Sequence, residues 1–478
     1  MLKFTTIDRS MPEKRDAGVR ASDFGEIYGD YAQKVAEDQA GRCSQCGVPF
    51  CQQGCPLSNN IPDWLKLAAE DRMEEAYQVS QATNNMPEIC GRICPQDRLC
   101  EGICTVEQSG HGTVTIGAME RYITDNAWEQ GWVTPIKPPR ERDQSAGIVG
   151  AGPGGLAAAE QLRRKGYQVT VYDRYDRGGG LLIYGIPGFK LEKHIVERRI
   201  RRLEDSGVAF EYNVSIGETC TLADLRDKHD TVLIATGVYK ARDLMVPGSG
   251  CEGVHKALDF LTASNRKGLG DDVPAFEDGT LNADGKRVVV IGGGDTAMDC
   301  VRTAVRQGAT SVSCLYRRDR ANMPGSQREV TNAEEEGVVF EWLASPEALL
   351  DNDGGKLKAV RAARMKLGAA DPSGRQSPEK TGDTFDLEAD MVIKALGFDP
   401  EDLPHLFGEA ALTVNRWGAI KVDFATLETS LSGVYAAGDI VRGASLVVWA
   451  IKDGRDAAEH MHKRMKQMAR EATPVAAE

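Results

Sequence analysis

Apolar residues recur at helical spacing in two stretches of the first 140 positions. PDWLKLAAEDRMEEAYQVSQ (62–81) has a proline in its first turn and predicts one helix. TIGAMERYITDNAWEQG (115–131) predicts a second amphipathic helix, and no strong strand pattern lies between the two. TPIKPPRERDQ (134–144) reads as a linker, because its prolines and charges build no core.

The pattern then changes. AGIVGAGPGGLAAAEQLRRKGYQVTVYDR (146–174) is a short apolar strand, a glycine turn, an alanine-rich helix and a second strand. RVVVIGGGDTAMDCVRTAVRQGATSVSCLYRR (287–318) repeats that βαβ unit, with Gly150 and Gly292 lying 142 residues apart. KGLGDDVPAFEDGTLNADGK (267–286), rich in glycine and acids, reads as a surface crossing between domains. Residues 471–478 read as a frayed, alanine-rich tail. At 478 residues the chain is long enough for about three domains.

Composition narrows the classes. The net charge of −13 argues against a nucleic-acid surface, which would be basic. No run approaches the roughly 18 apolar residues of a membrane span. The charged start, MLKFTTIDRSMPEKRDAG, shows no secretory pattern, so a cytoplasmic location is expected. An acidic chain that binds phosphate must gather positive charge at the site, so clustered arginines are informative.

Gly150, Gly152 and Gly155 fit the dinucleotide fingerprint. They allow a tight turn, close approach of pyrophosphate to the backbone, and close packing of helix on strand. The helix start offers free N–H groups to the phosphates. Asp173 ends the second strand, 18 residues past Gly155, where a carboxylate accepts from ribose hydroxyls. The second unit has Gly292 and Gly294, with Ala297 in the third place, and its second strand ends in Arg317 and Arg318. A carboxylate repels a 2′-phosphate, whereas the arginine fork pairs with one. The first site therefore expects a cofactor with free ribose hydroxyls, and the second expects NADP(H), with Arg320 adding to the charge. Two such sites suggest a flavin and a nicotinamide exchanging hydride. Supporting stretches are TVLIATGVYKARDLMVPG (231–248), its weaker echo MVIKALGFDP (391–400), and GVYAAGDIVRGASLVVWAIKDGRDAA (433–458), where Asp439 is placed to bond a ribityl hydroxyl.

Eight of the twelve cysteines lie in CSQCGVPFCQQGC (43–55) and CGRICPQDRLCEGIC (90–104). A reducing compartment weakens the disulfide reading. Zinc favours paired short knuckles, and only Cys43–Cys46 is one. Cys55-Pro56 and Cys94-Pro95 resemble the ends of bacterial ferredoxin runs, which favours iron–sulfur clusters. By that logic Cys43, Cys46, Cys51 and Cys104 hold one cluster. Cys55, Cys94 and Cys100 begin another, with Cys90 available as its fourth ligand. Cys220, Cys251, Cys300 and Cys314 are scattered and read as small buried hydrophobes.

The combination GAGPGGL…YDR…GGGLLIYGIPGFK…ATG…GGGDTAMDC…YRR…GVYAAGD resembles the flavoprotein reductases with two dinucleotide-binding domains. With CSQCGVPFCQQGCPLSNNIPDW…GRICP before it, nearly all of residues 20–460 resembles the small (beta) subunits of NADPH-dependent glutamate synthases. The resemblance implies an α/β fold of two Rossmann-like domains behind a helical iron–sulfur domain. It implies boundaries at 1–143 (iron–sulfur), 144–280 and 386–478 (FAD), and 281–385 (NADPH). FAD would meet Gly150, Gly152, Gly155, Asp173, the Gly179–Gly180–Leu181 turn, Thr236, Gly237, Gly438 and Asp439. NADPH would meet Gly292, Gly294, Asp295, Thr296, Arg317 and Arg318. Two 4Fe-4S clusters are implied. In the related module of dihydropyrimidine dehydrogenase a glutamine is the fourth ligand, at the place of Glu120 here, so Glu120 is preferred over Cys90. The implied partner is a large FMN-containing amidotransferase subunit that makes glutamate from glutamine and 2-oxoglutarate. The readings set against this are the same electron module serving another reductase, and a zinc-binding scaffold with degenerate nucleotide folds.

Overall fold

The computed structural model describes residues 1–352, 354–371 and 376–472, so most of the alanine-rich tail lies outside the described residues. The cysteine-rich region is helical, as its periodicity predicts. Its main helices are Gln33–Ala40, Ile61–Ala69, Met73–Thr83, Pro87–Ile93 and Ile116–Glu129. They close over a core that includes Trp64, Leu65, Tyr77, Met119 and Ile123. The single helix expected over 62–81 is two helices. Asp71 turns left-handed at φ 58° between them, a conformation aspartate tolerates better than most residues.

Two five-stranded parallel sheets follow. The first runs Val434–Ala436, Thr231–Ile234, Ser145–Val149, Gln168–Asp173, Val208–Tyr212. The second runs Val254–Lys256, Met391–Lys394, Arg287–Ile291, Ser311–Tyr316, Val339–Trp342. Central strands buried on both faces explain their unbroken apolar runs. In each sheet the strand before the glycine turn lies in the middle, so both turns open at the carboxyl ends of strands, where ligands of such folds bind.

The strand membership differs from the expected boundaries. Val254–Lys256 and Met391–Lys394 pair into the second sheet, although 144–280 and 386–478 were assigned to the first domain. The chain passes between domains on either side of these strands. The two crossings pair with each other, Lys240–Ala241 against Phe398–Asp399. Segment 267–286 is not a crossing between domains. It joins the helix Ala257–Gly268 to Arg287–Ile291 within the second domain. A three-stranded antiparallel sheet, Ala344–Asp351, Leu357–Ala370 and Gln376–Glu388, was not anticipated, because its apolar positions do not alternate strictly. The linker 134–144 holds no helix or strand, yet it is tied down. Ile136 N–H donates to Ser206 Oγ at 2.8 Å and Arg202 Nε donates to Thr134 O at 2.9 Å. Among the described residues no helix is long and apolar enough to cross a membrane.

Buried ion pairs join the three units. Glu88 of the cysteine-rich region accepts two bonds of 2.8 Å from Arg199 of the first dinucleotide domain. Glu336 of the second accepts from Arg20, Arg302 and Arg306 at 2.7–3.1 Å. Burial pushes the Glu336 carboxyl up, but Arg302 and Arg306 outweigh it and hold it at about 2. Glu329, beside Arg302 and Lys190, is also held at about 2.

An unfolded glutamate titrates near about 4.3. The stability from these lowered carboxyls is therefore complete above that pH and is lost as pH falls toward about 2. Glu336→Gln removes the anion that three guanidiniums share, leaving Arg20 with Glu335 and Arg302 with Glu329, and should cost roughly 3–5 kcal/mol at neutral pH. Urea unfolding should show a lower midpoint and a shallower loss of stability between pH 5 and pH 2 than the wild type.

Candidate functional site

The first glycine turn is built from close backbone approaches. Gly150 lies at φ +109°, and a Cβ there would sit 2.4 Å from the Ala235 carbonyl oxygen. A Cβ on Gly155 would sit 1.9 Å from the Gly150 carbonyl oxygen, so Gly155 serves packing behind the turn and not the cleft itself. The helix Pro153–Arg164 starts here, with proline where no N–H bond is lost. Its N-terminal N–H groups open onto a cleft lined by Gly150, Gly152, Asp173, Gly180, Leu181, Thr236, Gly237, Gly438 and Asp439. A second space shares Gly150, Asp173, Thr236 and Tyr239 with it and extends to Arg174, Glu218 and Glu401. The result is an elongated cleft with the glycine turn near its middle.

Asp173 is occupied by more than a ribose would require. Ala151 and Tyr175 donate backbone N–H bonds to its two oxygens at 2.7 and 2.9 Å, so it also steadies the glycine turn. Gly179, at φ +116°, donates to the Ala151 carbonyl at 2.8 Å and supports the turn from behind. Asp439 is pushed up to about 6, by burial first, although the Ser445 N–H draws it down. Thr236 Oγ1 is buried without a partner. An orphaned hydroxyl in a cleft with apolar walls fits a ligand that supplies the missing hydrogen bond. Sequence reasoning missed Tyr239 and Ser445, and also the closest helix contact, where a Cβ on Gly454 would sit 2.0 Å from the Gly154 carbonyl. That contact brings the start of the helix Val447–Ala472 to the cleft beside the start of Pro153–Arg164.

The second turn repeats the geometry. Gly292 lies at φ +150°, with a Cβ position 2.2 Å from the Ala395 carbonyl oxygen. Gly294 caps the helix Asp295–Arg306, and Ala297 fits without exposure where the first domain has Gly155. The cleft is lined by Gly292, Gly294, Thr296, Arg317 and Arg318. Arg318 Nε is buried without a partner, a donor left for an anion. Two expected members are not there. Asp295 turns away from the cleft lining to accept from Ser326 N–H at 2.9 Å. Arg320 pairs with Glu334 at 2.7 Å, donates to Thr331 and lies outside the cleft lining. Arg242, unforeseen, lines the cleft and is held by Asp399 at 2.8 Å.

All eight clustered cysteines are free thiols. Their mutual fields fall mostly into two groups, although Cys51 also raises Cys100 across them. Cys51 is pushed up to about 12 by burial and then by Cys104, Cys43 and Cys46. Cys55 is pushed up to about 12 by burial and then by Glu120 and Cys90, against the pull of backbone N–H groups. Cys94 is raised by its bond with Cys90, then by burial and by Glu120. Cys100 is raised by burial and then by Glu101, Cys55 and Glu120. Buried thiols that are costly to ionise fit a positively charged group that would take the thiolates. Among the described residues no three His, Cys, Asp or Glu side chains converge closely enough to hold one ion.

Both candidates for the eighth ligand lie at the second group. Glu120, on Ile116–Glu129, is pushed up to about 8, chiefly by burial. Its Oε1 accepts from Asn59 at 2.8 Å and Asn84 at 3.1 Å. Cys90 contacts the same Asn84 through its sulfur at 3.8 Å. Of the scattered cysteines, Cys300 and Cys314 are buried as expected, whereas Cys220 and Cys251 are half-buried.

Comparison with known proteins places these features in context. Residues 20–132 match the family described as dihydropyrimidine dehydrogenase domain II, 4Fe-4S cluster. Residues 145–454 match the pyridine nucleotide-disulphide oxidoreductases. The glutamate synthase (NADPH) small chain of Azospirillum brasilense is 63% identical over all of this chain and 99% of its own length. A putative oxidoreductase of Escherichia coli, AegA, is 44% identical over 94% of this chain and 69% of its own. The structure of Mycobacterium tuberculosis FprA in complex with NADPH superimposes with a TM-score of 0.59 at 21% identity, covering 70% of this chain and 88% of that one, and so supports the fold. The chain belongs to the glutamate synthase (NADPH) small-chain family.

Proposed function

We propose that this chain is the electron-input subunit of a glutamate synthase. The observation that carries the reading is the joining of two dinucleotide clefts and two thiol groups in one ion-paired body. When bound, FAD accepts the electron pair that NADPH delivers as hydride, and two 4Fe-4S clusters accept electrons singly.

The residues of this chain position those groups. The start of Pro153–Arg164 would face the FAD pyrophosphate, with Asp173 toward a ribose, Thr236 Oγ1 supplied with its missing partner, and Asp439 at the ribityl end. The start of Asp295–Arg306 would face the NADPH pyrophosphate through Gly294 and Thr296, while Arg317 and Arg318 take the 2′-phosphate. Cys43, Cys46, Cys51 and Cys104 would hold one cluster. Cys55, Cys94, Cys100 and Glu120 would hold the other, with Cys90 as the alternative to Glu120. Transfer between stacked rings needs alignment more than a proton donor, so no acid–base side chain is assigned. The partner is a large subunit. In this reading it carries FMN and the amidotransferase chemistry, and the complex is cytoplasmic.

A second reading has a specific observation behind it. AegA contains a comparable stretch within a longer chain, so the same module could feed another acceptor. Anaerobic purification from the native source separates the two. Glutamate synthase requires NADPH-dependent glutamate formation from glutamine and 2-oxoglutarate, with a large flavoprotein travelling with this chain. Dye reduction without glutamate or that partner points to another acceptor.

Replacing Arg317 and Arg318 with glutamine should weaken NADP+ binding about 10- to 100-fold, the worth of charge-assisted phosphate bonds. NADH affinity should stay within about twofold, and equal loss for both nucleotides would contradict the assignment. Glu120→Ala should retain about half the iron if Glu120 completes the second cluster. Full iron with unchanged cluster spectra in that variant, together with iron loss in Cys90→Ser, would move the ligand to Cys90.

A further inference from the structure

One short segment runs from the wall of the first cleft to the second dinucleotide domain. Residues 179–193 begin at the wall of the FAD cleft, where Gly180, Leu181, Leu182 and Ile186 form its lining. They end in Phe189 and Lys190, which reach the second domain. Lys190 Nζ donates to Asp299 Oδ1 at 2.8 Å, and both side chains are almost fully buried. Phe189 is 1% exposed and lies under two guanidiniums, Arg302 at 4.4 Å and Arg306 at 3.9 Å from its ring centre. Asp299, Arg302 and Arg306 are successive turns of one face of Asp295–Arg306, the helix whose start forms the second phosphate turn.

The segment is itself fixed at its other end. Lys193 Nζ donates to the carbonyls of Leu182 and Ile186, two residues of the FAD cleft wall. Asn265, on Ala257–Gly268 of the second domain, donates to the Tyr184 carbonyl at 2.9 Å, and that side chain is buried. A displacement of the nucleotide helix would therefore break a buried ion pair and uncover an aromatic ring, both costly.

We propose that Phe189 and Lys190 are positioning residues for the transfer between NADPH and FAD. They lock the nucleotide helix to the wall of the FAD cleft, so the two cofactors meet at a fixed separation without rotation of the second domain. The step moves one hydride, two electrons with one proton, from NADPH to FAD, leaving NADP+ and reduced flavin. Neither residue lines either cleft, so the effect passes through the helix and the cleft wall. The inference rests on the second cleft being the NADPH site.

The test compares Lys190→Met and Lys190→Arg with the wild type in the full chain. Three quantities are measured: hydrogen exchange of residues 295–306 without nucleotide, NADP+ affinity, and the rate of flavin reduction at saturating NADPH. In Lys190→Met the helix amides should exchange several-fold faster. Flavin reduction should fall roughly tenfold or more, the scale of a small misplacement, while NADP+ affinity stays within about twofold. Lys190→Arg should recover most of the rate. Unchanged exchange and rate would overturn the proposal, and so would a rate loss matched by an equal loss of NADP+ affinity. If the wild type binds no NADP+, the cofactor reading fails, while exchange of the nucleotide-free helix still decides the lock. If Lys190→Met does not fold, Asp299→Asn removes the same pair from the other domain and is read by the same measurements.

Discussion

Glu336 has no exposed side-chain surface and meets three guanidiniums, those of Arg20, Arg302 and Arg306. Arg20 comes from the N-terminal segment, and the other two come from the helix that starts at the second phosphate turn. Glu88 and Arg199 make an equally buried pair between the cysteine-rich region and the first dinucleotide domain. Charges taken out of water are stable only when fully paired, so each pair tolerates one relative placement of its two domains. Apolar packing alone would allow small sliding. These pairs do not, and the geometry of both clefts and both thiol groups follows from them.

The chemistry read from the site requires that rigidity. A flavin, a nicotinamide and iron–sulfur clusters exchange electrons only when held close. The cysteine-rich region also touches the second phosphate turn directly. Arg98 donates to the Pro324 carbonyl and lies 3.8 Å from Asp295, and Ser326 Oγ is 3.5 Å from Asp97. The cysteine-rich region therefore borders the second glycine turn as well as the first dinucleotide domain.

The parts of this arrangement legible in the sequence are those set by neighbours along the chain. Glycines that a Cβ would drive into a carbonyl, such as Gly150 and Gly155, announce the turns by their spacing. The exchange of Asp173 for Arg317–Arg318 at matching strand ends is local too. What the sequence hid is long-range. Asp295 has the right position for a phosphate turn, but the backbone of Ser326 claims its carboxylate. Arg320 sits beside Arg318 in sequence, yet Glu334 on the following helix takes it. Val254–Lys256 and Met391–Lys394 reveal their sheet only when paired, since a short apolar strand carries no mark of which sheet it joins. The lock at Lys190 depends on a partner 109 residues away. The thiols fall between these cases. Their number and their division into two groups are legible, whereas Glu120 and Cys90 lie around one asparagine that only the fold brings there.

The central claim is that one chain holds a flavin and two clusters in electronic connection, fed by NADPH. The most direct measurement is an anaerobic reductive titration of the purified chain, followed by visible absorbance and electron paramagnetic resonance. The account predicts uptake of about four electrons per chain, two by the flavin and one by each cluster, with NADPH alone able to start the filling. Uptake of only two electrons by a chain free of iron, or clusters that dithionite reduces but NADPH never reaches, would contradict it.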